Sequence, residues 1–246
     1  MQPEKKQLEI LLINYFKECF ANFPNGRITP SESPDFIIKM KSKNNLGIEL
    51  TRLNPENPKI LNHHEIEQIQ LREKIVATAK TLFEKSSPLK IFAKFLFSES
   101  HLMSHEKELI TAVKAVNSIY RAAKNIKQEK LYFKIITNNN LKNELHQILI
   151  VSHPALKYSI WERSNNLGIS ENITGDILTS VKKKEEKLKL YKKQRLNYYW
   201  LVITSDRLYE INNYTISEFI NKNTVNSHFQ HIFLFDIAKP IVYQLK

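Results

Sequence analysis

Two stretches, Ser33-Pro34-Asp35-Phe36-Ile37-Ile38 and Leu46-Gly47-Ile48-Glu49-Leu50-Thr51, flank the polar segment Lys41–Asn45. Apolar runs on either side of a polar turn predict a β-hairpin. In an antiparallel pair, opposed residues have numbers of constant sum. A turn centred on Ser42 therefore sets Asp35 opposite Glu49. A turn centred between Asn44 and Asn45 instead sets Asp35 opposite Asn54. That register moves Glu49 five residues away, or about 16 Å at about 3.3 Å per residue. The residues are compatible with either register. If the carboxylates meet, they form a hard oxygen site suited to Mg²⁺ or Mn²⁺, with Glu32 available as a further ligand. Such an ion activates water and stabilises charge developing on a phosphodiester.

Outward from the hairpin, apolar positions at helical spacing (Leu8, Leu11, Leu12, Tyr15, Cys19) predict an opening helix over 5–22. Asn22, Pro24, Asn25 and Gly26 stop it. Pro55 and Pro58 mark a loop, and an amphipathic helix follows over 64–85. Strands are predicted at Leu89–Phe97, Leu131–Ile136, Ile148–Val151, Tyr158–Trp161, Tyr198–Thr204, His231–Phe235 and Ile241–Leu245. Further helices are predicted over 104–125 and 174–195. Strands alternating with long helices predict an α/β fold, a central mixed sheet flanked by helices. No repeat or linker interrupts residues 1–246, which read as a single domain.

The chain has 246 residues, with 37 Lys and Arg against 25 Asp and Glu, a net charge of +12. That excess points to a polyanionic partner, most simply nucleic acid or an anionic membrane surface. One cysteine, Cys19, excludes an internal disulfide framework and fits a reducing compartment. With four glycines and neither GxxxxGK[ST] nor GxGxxG, glycine-rich phosphate loops are excluded. The apolar runs are too short, or too broken by charge, for a signal peptide or membrane span. A cytoplasmic protein without a membrane partner is expected. Its oligomeric state is not legible.

Polar residues on apolar faces supply an independent signal. At about 100° per residue, Glu65, Gln68 and Arg72 fall on the buried face of the 64–85 helix. A buried arginine calls for an anionic partner: Glu65, the hairpin carboxylates or a bound phosphate. On the 174–195 helix, Ile177, Val181, Leu188 and Tyr191 form a stripe that contains Lys184, with Lys187 at its edge. Lys184 is placed to supply a cation or to neutralise a buried carboxylate. The neighbouring His63-His64 is a poor zinc pair, and Cys19 reads as a small core residue.

Pro34-Asp35 and Glu49-Leu50-Thr51, in that order with a hairpin between them, resemble the PD-(D/E)XK nuclease superfamily, the restriction-endonuclease-like fold. The resemblance implies that Asp35 and Glu49 hold a metal ion and that the protein cleaves nucleic acid, DNA by preference. In that superfamily a lysine two residues after the glutamate assists the attacking water. Here Thr51 takes that place, so Arg72, Gln68 or Lys184 is expected to supply the missing group. The string Val181…Lys184-Glu185…Lys187-Leu188…Tyr191, followed by Tyr199-Trp200-Leu201-Val202-Ile203, also resembles an arrangement that recurs in nuclease-like proteins. The rival expectation is a binding module of the same fold without chemistry.

Overall fold

A computed structural model describes residues 3–54, 60–98, 102–127, 129–137, 143–164, 172–191, 196–206, 213–222 and 225–246. The expected loop at Pro55 and Pro58, and the last four residues of the helix expected over 174–195, lie outside them. The α/β architecture is present, as a six-stranded and a four-stranded sheet, both mixed, with five α-helices among the described residues. The chain divides into two compact units. One comprises residues 1–11 and 60–166, the other 12–59 and 167–246, so the opening helix α1 (Pro3–Cys19) contributes to both.

In the first unit, α2 (His63–Ser86) and α3 (Glu108–Ala123) cover one face of a sheet. Its strands are β4 (Phe92–Phe97), β5 (Tyr132–Ile136), β6 (Leu145–Ser152) and β7 (Ile160–Arg163), in the order β5-β6-β4-β7. Asn62 and Glu65 start α2 with a reciprocal capping box, which satisfies two of the donors that a helix N-terminus leaves orphaned. Leu71, Ile75 and Phe83 meet Ala112, Ala115 and Ile119 over Phe95, Ile148 and Ile150. Small residues on α3 let the two helices approach closely. Lys94, 1% exposed on β4, is neutralised by Glu162 of β7 at 2.7 Å.

In the second unit, β1 (Gly26–Pro30), β2 (Phe36–Met40) and β3 (Asn45–Arg52) form an antiparallel meander. Strands β8 (Tyr198–Ser205) and β9 (His231–Asp236) continue it in parallel, and β10 (Ile241–Gln244) closes it antiparallel to β9. Alternation along these strands makes two apolar faces. The α1 face carries Trp200, Phe233 and Phe235, against which Tyr15, Phe16 and Phe20 pack edge-on or tilted. The opposite face carries Tyr199, Leu201, Ile203, Ile232 and Leu234 under α4 (Ile173–Tyr191) and α5 (Asn213–Lys222). Strand β1 and helix α5 have no counterpart among the expected elements. Residues Asn25 and Gly26, read as stop signals, lead straight into an exposed edge strand.

Asp236, fully buried at the end of β9, accepts hydrogen bonds from the backbone of Ala238 (2.9 Å) and Lys239 (3.1 Å). Burial, reinforced by the nearby Asp206, pushes its carboxyl up to about 6 against those bonds. An unfolded aspartate titrates near about 3.9. The folded state therefore holds the proton more tightly, and stability falls as pH rises from about 4 to about 6. At about 1.4 kcal/mol per unit, this group accounts for roughly 2–3 kcal/mol of that fall. Asp236→Asn is expected to remove this segment of the pH profile and to be the more stable protein near neutral pH. Urea denaturation across that range measures it; parallel profiles for the two proteins would contradict it.

Candidate active site

The pairs Phe36↔Ile48, Ile37↔Gly47 and Ile38↔Leu46 select the register centred on Ser42. Continued by one residue, it sets Asp35 opposite Glu49. Opposed residues in an antiparallel pair project to the same face, so both carboxylates lie on the α4 side of the sheet. Asp35 Oδ2 accepts a hydrogen bond from the Leu50 backbone N–H at 2.7 Å, which ties the entry of β2 to β3 beside Glu49.

Glu49 is 4% exposed, and its Oε1 accepts a hydrogen bond from Lys184 Nζ at 2.7 Å. The same ammonium lies 3.4 Å from the Leu50 carbonyl oxygen. Lys184, Leu188 and Tyr191 are spaced i, i+4, i+7, which aligns them on one face of α4. The helix that buries Leu188 in the core thereby also carries a lysine and a phenol to the carboxylates. Tyr191 is buried, and its hydroxyl donates to Glu49. Burial first, then Glu49 and Asp35, push that phenol well above its ordinary value. Because one hydroxyl senses both carboxylates, they share its surroundings. The Tyr191 carbonyl in turn accepts from Tyr199 Oη at 2.9 Å, anchoring the last turn of α4 to β8.

Glu185, next to Lys184, points to a different set of partners. It accepts from Ser227 Oγ, from the His228 backbone N–H at 3.0 Å and from His228 Nδ1. Burial opposes its ionisation, but these bonds outweigh burial and hold its carboxyl below the usual range. Two adjacent residues on α4 are thus held from two sides, which sets the rotation of the helix about its axis.

The chain matches no protein-family model, no curated protein and no solved structure.

Other candidate residues have separate surroundings. Thr51 follows Glu49 on β3, half-buried, and pairs with Ile203 of β8. Lys187 is exposed on α4, and Glu32 is exposed on the bend before Asp35. Arg72 and Gln68 belong to the first unit, on α2. Arg72 Nη2 donates to the Ser98 carbonyl at 2.9 Å, and its guanidinium lies 5.5 Å from the Phe97 ring centroid. The Gln68 amide clamps the Met103 backbone, donating to its carbonyl at 3.0 Å and accepting from its N–H at 2.7 Å. These bonds make Gln68 a structural brace. His63 and His64 both face Glu67, at 3.4 and 3.7 Å. Burial and Glu18 push the Cys19 thiol up to about 11, leaving it protonated and unreactive at neutral pH.

Among the described residues, no three of His, Cys, Asp or Glu converge on a common point. Asp35 and Glu49 nonetheless fit one mode of Mg²⁺ binding, in which one or two carboxylates and substrate phosphate share the shell with water. No helix among the described residues is long and apolar enough to cross a membrane.

Proposed function

We propose that the second unit is a metal-dependent nuclease of restriction-endonuclease-like fold acting on DNA phosphodiester bonds in the cytoplasm. The observation that carries this reading is the contact of Lys184 Nζ with Glu49 at 2.7 Å, beside Asp35 across the hairpin. It supplies from α4 the cation that Thr51 does not provide on β3. In this reading Asp35 and Glu49 hold Mg²⁺ or Mn²⁺. When bound, such an ion supplies Lewis acidity at the scissile phosphate. Lys184 orients Glu49 through their 2.7 Å contact, and adds positive charge where negative charge grows in the transition state. Tyr191 adds a second contact to Glu49. The mixed sheet with its carboxylate-bearing hairpin agrees with the resemblance drawn from the sequence.

The test is cleavage of supercoiled plasmid and of single-stranded DNA with Mg²⁺ or Mn²⁺. Asp35→Asn and Glu49→Gln are each expected to reduce the rate at least about 100-fold, as loss of a charge-stabilising group does. Absence of cleavage by the wild type with either ion, together with no binding of Mn²⁺, would overturn the enzymatic reading.

One observation favours a second reading, a DNA-binding module without chemistry. Lys184 and Glu49 satisfy one another, as they would in a purely structural pair. That module binds DNA with the same affinity after Glu49→Ala and cleaves nothing.

A further inference from the structure

The register that joins Asp35 to Glu49 also places two cations on the same face. Arg27 of β1 pairs with Lys39 of β2, and Thr29 pairs with Ile37. Lys39, Ile37 and Asp35 alternate along β2 and share one side, and cross-strand partners share it too. Arg27 and Lys39 therefore project from the face that bears the carboxylates. Both are exposed, and among the described residues neither makes a side-chain hydrogen bond or ion pair. Lys41 and Lys43, exposed in the following turn, also lack partners there. Residues 36–48 contain three lysines and no acidic residue.

Edge protection accounts for Arg27 on the edge strand β1 but not for Lys39. Lysine on an edge strand discourages aggregation, but β2 is hydrogen-bonded on both sides, so Lys39 has no edge to protect. Like charges directly opposed across strands destabilise a sheet, so the Arg27–Lys39 pair costs stability unless an anion lies between them. Lys39 stands four residues from Asp35, about 13 Å along the strand. Phosphates of a duplex strand wind round the axis while rising about 3.4 Å per step, so a phosphate-to-phosphate span of about 13 Å covers about two nucleotides.

We propose that the open α4-side face of β1 and β2 is a docking shelf for the DNA backbone, with Arg27 and Lys39 binding phosphates about two nucleotides from the bond held at Asp35 and Glu49. The proposal rests on the nuclease reading for its substrate, and it assigns positioning roles only. Neither cation touches the reacting atoms.

The test is binding of a short fluorescein-labelled DNA duplex across about 50–200 mM salt. It compares wild type, Arg27→Gln/Lys39→Gln, and a control of equal charge loss in the other unit, Lys124→Gln/Lys127→Gln. Losing two phosphate contacts is expected to weaken binding tenfold or more at low salt. It also reduces the slope of log K against log salt by about 1.8, at about 0.9 per contact. The control keeps most of both, Mn²⁺ binding of the shelf variant stays at its wild-type value, and its thermal stability without DNA is equal to or slightly above wild type, as relief of the like-charge pair requires. An unchanged slope in the shelf variant, with wild type binding and cleaving, overturns the shelf and leaves the nuclease. Wild type that binds through the shelf without cleaving upholds the shelf and removes the nuclease. Wild type with no affinity at low salt overturns both.

Discussion

Replacing Lys184 with methionine is expected to destabilise the protein by about 3–5 kcal/mol and to abolish metal-dependent cleavage. The Lys184 side chain is 16% exposed and that of Glu49 5%, joined at 2.7 Å. Removing the cation strands a carboxylate where water cannot replace the lost bond. Tyr191 still donates to Glu49, but one neutral hydroxyl does not balance a full charge. Adding Glu49→Gln to Lys184→Met is expected to recover most of the stability, because an amide needs no counter-charge. The double variant stays inactive, having lost both the ligand and the cation. Urea denaturation of the four proteins in this double-mutant cycle gives the coupling energy directly. A loss below about 1 kcal/mol for Lys184→Met would class the pair with solvated surface bridges. Lys184 would then have no claim to position Glu49.

Gly47→Ala is expected to cost about 1–3 kcal/mol through overpacking, and to lower cleavage more than its stability loss explains. Gly47 faces Ile37 on β2 and Tyr199 on β8. A Cβ there would stand 2.6 Å from Pro34 Cγ, 2.8 Å from Leu196 Cδ1 and 3.3 Å from Tyr199 Cδ1. The Leu196 contact is with the far end of a flexible side chain, whereas the Pro34 ring is rigid and moves only with the backbone. Moving Pro34 moves Asp35, and with it the 2.7 Å bond to Leu50 N–H. A displacement of about 1 Å in a catalytic group costs on the order of 100-fold in rate. Full activity in Gly47→Ala alone would show that Asp35 does not depend on this contact.

The hairpin, the long helices and the central strand Tyr198–Thr204 were legible because each carries a periodic apolar pattern of its own. Lys184 was legible for the same reason: a lysine inside the stripe Ile177, Val181, Leu188 and Tyr191 demands a buried partner. Tyr191 was passed over as one more apolar residue of that stripe. The signal that would have found it is its spacing of seven from Lys184, which puts its hydroxyl on the same carboxylate. Strand β1 went unread because GRITP has one large apolar residue, Ile28, and an exposed edge strand needs no more. Helix α5 went unread although Asn212 and Asn223 flank it in the sequence, because its apolar stripe of Ile216, Phe219 and Ile220 spans little more than one turn. Arg72 illustrates the opposite limit. Its place on the buried face of α2 was readable, but the carbonyl of Ser98 and the ring of Phe97 were not, because both arrive from β4 and the residue after it.

Sequence by itself determined the α/β class, the carboxylate-bearing hairpin, the lysine inside the apolar stripe and the net charge of +12. These are local properties, set by side-chain periods of about 2 and 3.6 residues and by the chemistry of single groups. Only the tertiary structure decided which register the hairpin adopts, and so whether Asp35 faces Glu49. It alone brought Lys184 to a carboxylate 135 positions away, and it assigned Arg72 and Gln68 to a different compact unit. It also turned part of the basic excess into a particular pair, Arg27 beside Lys39, on the carboxylate face. The physical reason is that burial constrains what a residue must meet, while which residue meets it depends on packing between elements distant in the chain.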